Sequence, residues 1–485
     1  MGLRDLLQRV DTLENNFLER LRQAIEIPSV SADLDSRHHV LKMAQWIVAE
    51  MKSLGVDAHL KPLGKQPGTD GTADLPPLVL KRLGNDPQKM TLLVYSHYDI
   101  QPAALSAGWK YDPWTLTVEP DGMLRGRGTS DDKGPLVSWL NMIQAYRASG
   151  RDVPVPVNLI FCLEGIEESG SVGFRGAIED EADEFLSGID AVCITDTVWA
   201  GERHPSITCG LRGVLFYILW ITGAKKDAHS GSFGGVISEP MTDMVRVMSS
   251  LVDSSGRVHI AGMYDDVAPV MGLERQRYEE LHVSDAELLG GEIGGRSLHK
   301  GKADMLIARW RMPSLTIHRI ENAKPSASAT TSIPADLIGK FSIRSVPNMQ
   351  VTTVDQLPRR HIATQFENLG SQNSLSLECA HQSDWFFEDT DHWNYQAARN
   401  ATEEVWGVAP DLACEGGSIP VALDLKQVFG KSVLLLPVGR PSDSAHSINK
   451  KLDRVNYFNA TKLYAAYLEE LAHLWRKNNL FDGAV

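Results

Sequence analysis

Two adjacent carboxylates, Glu167 and Glu168, close an apolar run and precede Ser169-Gly170-Ser171. Neighbouring carboxylates repel, so such a pair usually lies on a solvated surface. At the end of a buried strand it is expected in a cleft instead, where one carboxylate can bind a cation while the other moves a proton. His97 and Asp99 make a second combination. At a strand end Asp99 can turn back and accept the far ring N–H of His97, the support that metal-bound imidazoles normally have. A third is Gly126-Arg-Gly-Thr-Ser-Asp131-Asp132-Lys133-Gly134, whose glycines allow a tight turn that presents a carboxylate ahead of a helix expected from about Pro135. Taken singly, each has a plainer reading: a surface pair, a structural histidine, an N-cap aspartate. Together, His97, Asp131, Glu168, Asp196 and His446 supply two imidazoles and three carboxylates. That donor set suits zinc, manganese or cobalt, with one carboxylate shared by two ions ~3.5–4 Å apart.

Residues this scattered must be gathered by the fold. Thr91-Leu-Leu-Val-Tyr95 runs into Ser96-His97, and Val157-Asn-Leu-Ile-Phe-Cys-Leu163 runs into Glu164-Gly-Ile-Glu167-Glu168. Ala191-Val-Cys-Ile194 runs into Thr195-Asp196, and Ser432-Val-Leu-Leu-Leu-Pro-Val438 precedes Ser444-Ala-His446. Continuous apolar runs of this length fit strands buried on both faces, in a sheet covered by helices such as those expected at Leu136–Tyr146 and Tyr395–Val405. Each metal-capable side chain falls at or just after the carboxyl end of its strand, the edge at which open α/β sheets bind ligands. The stretch from about Val214 to Trp385 reads differently. It has strand-like segments (Val214–Thr222, Leu337–Ser345), a helical run from Pro240 to Val252 and Gly- or Ser-rich loops, but no such strand-end pattern. The fold expected is α/β, with a mixed, largely parallel sheet interrupted by an inserted α+β domain. Its parts are 1–211, 212–386 for the insertion and 387–485.

Bulk properties agree. A chain of 485 residues outgrows one hydrophobic core. Its 43% hydrophobic and 23% charged residues are those of an ordinary folded domain. A net charge of −14 argues against nucleic acid or an anionic membrane as partner. No secretory signal is visible at the start, where Leu6, Val10, Leu13, Phe17, Leu21 and Ile25 mark one helix face. The longest apolar run, Val214–Ile221, is far short of the ~20 residues of a membrane helix. Five cysteines, widely spaced and without a C-x-x-C pair, read as reduced thiols in the cytoplasm.

His97-Tyr-Asp-Ile-Gln-Pro102, Gly126-Arg-Gly-Thr-Ser-Asp-Asp-Lys-Gly-Pro135, Glu164-Gly-Ile-Glu-Glu-Ser-Gly170, Glu415-Gly-Gly-Ser-Ile-Pro420 and Ser444-Ala-His-Ser447 resemble the M20 metallopeptidase family. The similarity spans essentially the whole chain and is nearest to the cytosolic nonspecific dipeptidase group, which includes carnosine and cysteinylglycine dipeptidases. It implies a catalytic domain interrupted by a lid that also dimerises, and two divalent ions per subunit, Zn²⁺ or Mn²⁺. By this resemblance Asp131 bridges the ions, His97 and Asp196 complete one site, and Glu168 and His446 complete the other. Glu167 matches the general base and Asp99 its supporting carboxylate. Asp196, where the family's deacylases tend to carry Glu, implies a substrate with a free amino end.

The resemblance also implies substrate contacts. His229, in Asp227-Ala-His-Ser-Gly231, matches a histidine that reaches the partner subunit's site and polarises the scissile carbonyl, and Thr331 another residue given across the dimer. Arg344 matches the arginine that takes the substrate's terminal carboxylate, with His381 and Ser418 as further contacts. Without the resemblance, His229 and Arg344 read as surface residues. The segment 382–391, together with Thr197-Val198 and Ala413-Cys414, departs from the common pattern near the site. The implied activity is hydrolysis of dipeptides such as Cys-Gly, by water activated between the ions with Glu167 as base. The alternatives are an N-acyl amino acid deacylase of the same family, or a subunit of a glutathione-degrading complex.

Overall fold

The computed structural model describes residues 2–148, 155–289, 295–322, 331–444 and 446–482. Four strands run parallel at the centre of its largest sheet: Asn158–Glu164, Thr91–His97, Ala191–Ile194 and Ser432–Leu435, in that spatial order. Antiparallel strands extend it on both sides. His59–Lys61 and Leu78–Leu83 flank Asn158–Glu164, while Ser206–Leu211 and Phe386–Phe387 continue beyond Ser432–Leu435. Asp411–Glu415 pairs parallel with Ser206–Leu211.

Alternation within the apolar runs explains why the sheet is covered twice. Leu92 and Val94 pack into one core while Leu93 and Tyr95 pack into another. Leu159, Phe161 and Leu163 divide from Ile160 and Cys162 in the same way, because successive side chains of a strand point to opposite faces. The first core is roofed by helices that include Arg37–Ser53, Lys133–Arg147, Trp393–Trp406 and Arg454–Asp482. The second lies under Phe174–Glu181 and Pro420–Phe429.

A second, antiparallel sheet has the order Ser314–Asn322, Asp336–Ser345, Gly213–Thr222, Ser374–Ser383. Leu215, Tyr217, Leu219 and Ile221 bury one face under the helices Pro240–Ser249 and Val351–Asn368. The intervening Phe216, Ile218 and Trp220 are only half-buried, so this sheet is covered on one side. Helices within 272–310 do not join that core. Leu306 and Trp310 pack with Val283 on Ala413 of the large sheet.

Several boundaries differ from the periodicity reading. The N-terminal face is split over two helices, Leu3–Thr12 and Glu14–Ile25, separated at Leu13. The last parallel strand of the large sheet's centre stops at Leu435, before Pro437, which has no N–H to give the ladder. The helix expected near Pro135 begins at Lys133, which places Pro135 in its first turn, where a proline costs no hydrogen bond. All five cysteines are free, and Cys162, Cys193 and Cys209 are buried. No helix among the described residues is long and apolar enough to cross a membrane.

Candidate metal centre and substrate site

Because the four central strands are parallel, their carboxyl ends share one edge, and the chemistry collects there. His97 is the last residue of its strand and stands in register with Glu164. Glu167 and Glu168 follow in the short turn Glu167–Ser169, and Asp196 comes two residues after Ile194. His446 arrives on a loop in which Ser444, His446 and Asn449 take left-handed φ values of 59°, 58° and 58°. Such backbone is uncommon outside glycine and gathers at functional sites.

Asp131 stands between the two imidazoles. Its Oδ1 is 3.2 Å from Nε2 of His97, which is also 3.6 Å from Oδ2 of Asp196. Its Oδ2 is 3.6 Å from Nε2 of His446, itself 3.1 Å from Oε2 of Glu168. In each triad, His97–Asp131–Asp196 and Asp131–Glu168–His446, the donor atoms all lie within 4.8 Å of one another. The sequence's plainer reading of Asp131 as a helix cap does not hold. The N-cap residue is Asp132, whose carboxylate makes no cap bond and instead accepts from Ser96 Oγ and from the His97 amide at 3.0 Å.

Asp99 does more than the sequence suggested. Its two carboxylate oxygens accept the amides of Glu167 and Glu168, each at 3.1 Å, so it fixes the turn that presents both. Nδ1 of His97 lies 3.1 Å from the Asp99 main-chain carbonyl and 3.3 Å from its carboxylate. Either contact holds the ring with Nε2 facing the carboxylates.

The charges in this cluster are unbalanced, and the protonation preferences record it. Burial alone would raise the Asp131 pKa, but the charge of Lys450 and contacts with His97 hold it well below the usual carboxylate range. Burial disfavours a charged His97, yet Asp196, Asp131 and Asp99 outweigh it and push its pKa well up. Glu167 is pushed well up by burial, then by repulsion from Asp196, Glu168 and Asp99. Burial also lifts Glu164, which accepts from Tyr95 Oη at 2.6 Å, to about 8.

These residues fit a divalent cation pair. Nε2 of His97 is buried and has no hydrogen-bond partner, because the nearby carboxylate oxygens are close but not aligned to accept one. A buried ring nitrogen left without a partner among carboxylates is costly, and a cation bound there would give both the nitrogen and the carboxylates a partner. Two imidazoles and three carboxylates are donors that zinc and manganese both accept.

Three supporting residues escaped the sequence reading. Lys450, fully buried, forms an ion pair with Asp131. Arg127, also buried, stacks over Trp109 at 4.9 Å and feels the charges of Asp131 and Glu168. Gln101 donates to Oε2 of Glu168 at 2.8 Å. Arg127 and Gln101 lie inside segments already singled out, so they could have been suspected. A lysine four residues after His446 reads as surface charge.

The expected substrate residues fall into two groups. Nη1 of Arg344 donates to Oγ of Ser418 at 2.8 Å, and that hydroxyl donates to the Arg212 carbonyl at 2.5 Å. Arg212 joins the large sheet to the second one, and burial followed by repulsion from Arg344 lowers its pKa to about 10. The pKa of His381 is lowered by burial and then by the Arg344 charge. Arg212, Arg344, His381 and Ser418 thus make a basic cluster at the junction of the sheets. His229 and Thr331 lie elsewhere. Both are exposed, Ser230 donates to the Thr331 carbonyl at 2.9 Å, and His229 pairs in register with Ser332. No hydrogen bond or ion pair joins either to the carboxylate–imidazole cluster among the described residues.

An α/β sheet with paired His/carboxylate triads at its carboxyl edge and an inserted antiparallel sheet is the architecture of a metal-dependent hydrolase. The chain belongs to the peptidase family M20/M25/M40, whose model matches residues 93–470. It is 46% identical to the Cys-Gly metallodipeptidase DUG1 of Candida albicans over 96% of this chain and 97% of that one. It is 38% identical to the human Beta-Ala-His dipeptidase, covering 97% of this chain and 93% of that one. Among solved structures, the di-peptidase Dug1p of Saccharomyces cerevisiae superposes with a TM-score of 0.90 at 43% identity, over 97% of this chain and 99% of that one.

Proposed function

We propose that this chain is a metallodipeptidase that cleaves the peptide bond of dipeptides such as Cys-Gly. The observation that carries the reading is Asp131, whose two oxygens each face a separate imidazole–carboxylate set, with Glu167 beside them. His97, Asp131 and Asp196 would hold one ion, and Asp131, Glu168 and His446 the other, with Zn²⁺ or Mn²⁺ as the candidates. When bound, such a pair supplies Lewis acidity and lowers the pKa of water from about 15.7 towards ~7.

Glu167 takes the proton of the attacking water and returns it to the departing amine. Its raised pKa moves it in the direction that a base working near neutral pH needs, and bound cations offset part of that rise. Asp99 keeps Glu167 and Glu168 oriented through their amides. Arg344, backed by Ser418, pairs with the terminal carboxylate and so limits substrate length.

His229 and Thr331, exposed in the single chain, serve the site of a second subunit, where His229 donates to the developing oxyanion. This requires a homodimer formed through a lid at 212–386, between catalytic parts 1–211 and 387–485. The cytoplasm is the compartment that suits five free cysteines.

The test is metal-stripped protein reconstituted separately with Zn²⁺ and Mn²⁺ and offered cysteinylglycine, carnosine and their N-acetylated forms. Hydrolysis confined to free-amine dipeptides, and absent without metal, is expected. Preference for the acetylated forms would assign a deacylase instead, and equal turnover without metal would overturn the reading.

A further inference from the structure

Away from the catalytic edge, three other metal-capable side chains converge from three parts of the chain. His204 lies on the loop after Trp199, Asp411 opens the strand Asp411–Glu415, and His282 links the helices Gly272–Glu280 and Asp285–Leu288. Their donor atoms all lie within 4.8 Å of one another. Nδ1 of His282 is 3.0 Å from Oδ1 of Asp411, and Nε2 of His204 is 3.9 Å from the same oxygen. The two imidazoles stack at 4.0 Å with 20° between their planes.

We propose that His204, His282 and Asp411 form a third divalent-cation site, of zinc type, that clamps the segment 271–289 to the large sheet.

The site is built from fixed parts. The amide of Asp411 donates to the Pro205 carbonyl at 3.0 Å, which ties the strand to the His204 loop. Oδ2 of Asp411 accepts the His282 amide at 2.7 Å, leaving Oδ1 towards both rings. Beneath them Val283, Leu306, Trp310 and Ala413 form a small apolar core. Nε2 of His204 donates to the Ala409 carbonyl at 2.9 Å, and a cation that took this nitrogen would displace that proton.

The donor set favours an ion over a plain ion pair. One carboxylate balances one imidazolium, while the second stacked ring keeps only a neutral hydrogen bond to the Ala409 carbonyl. A zinc-type cation uses a lone pair of each neutral ring and the carboxylate charge together. Tetrahedral ligation at 2.0–2.1 Å brings donors to about 3.3 Å apart. Nδ1 of His282 is already close to that spacing from Asp411, so the adjustment falls to His204 at 3.9 Å, and the exposed side of His282 admits water.

None of these residues belongs to the catalytic triads, so this ion would be structural. Leu281 and Leu412, neighbours of two of the ligands, line a cavity of about 740 Å³ between the segment and the large sheet. The clamp therefore fixes one wall of that cavity.

The experiment is the zinc content per chain, by mass spectrometry, after dialysis of the full-length protein against buffered Zn²⁺. Wild type is compared with His282→Ala and His204→Ala. Each variant is expected to hold one ion fewer per chain than wild type, with unchanged circular dichroism and dipeptide turnover. Equal zinc in wild type and either variant overturns the proposal, whatever number of ions the catalytic residues bind.

Discussion

Asp131 has one oxygen towards His97 and the other towards His446, and Lys450 forms an ion pair with it. Carboxylates crowded this closely repel, and a pair of cations is what makes the crowding stable. Glu167 is different in kind: it sits among the carboxylates but belongs to neither triad, which leaves it available for proton transfer. Glu167→Gln is therefore expected to bind both ions, measured by metal content, yet lose ~10²–10⁴ in kcat. A Gln variant that retained full turnover would remove Glu167 from this role. His97, Glu167 and Asp196 were legible because each follows an apolar run, and Asp131 because a glycine-containing turn presents it ahead of a helix. Lys450 was not, since nothing in its neighbours Asn449 and Lys451 distinguishes a buried lysine from a solvated one.

At the level of elements, the parallel strands do most of the gathering, and short turns finish it. Asp99 shows the division: the strand Thr91–His97 delivers His97, but Asp99 locks the Glu167–Ser169 turn through two amides. Asp99→Ala is expected to weaken metal affinity by about 10–100-fold, as loss of a ligand's support generally does. Titration with a metal-competing chelator measures it, and an unchanged affinity would mean the turn holds itself. The helix Lys133–Arg147 buries Trp139, stacked on Tyr464 at 4.1 Å, against the C-terminal helix. Trp139→Ala should cost ~3–5 kcal/mol in urea unfolding, the range for a large aromatic lost from a core. Strands and long helices could be read from periodicity because burial imposes it. Their ends could not, and the N-terminal face that reads as one helix is two. Periodicity continues through Leu13, where the backbone does not.

For the molecule as a whole, the question is how a site spread over two sheets is closed. Arg344 and Ser418 meet where the sheets join, whereas His229 and Thr331 are exposed and apart from the cluster. In the proposed homodimer a second subunit would resolve that separation. Mixed dimers of His229→Ala with Arg344→Ala are expected to recover activity over either parent, because one of the two sites then contains both residues. No recovery would indicate self-contained subunits. The insertion was legible from the lack of strand-end chemistry in the middle of the chain. That the short helices within 272–289 and 302–310 pack on the large sheet was not, since tertiary packing of short helices leaves little periodic signal.

The central claim is that Asp131 is shared by two cations, and anomalous X-ray scattering from zinc-loaded crystals tests it most directly. Two peaks ~3.5–4 Å apart should flank Asp131, one against His97 and Asp196, the other against Glu168 and His446. A single peak there, or ions that leave Asp131 untouched, would contradict the account.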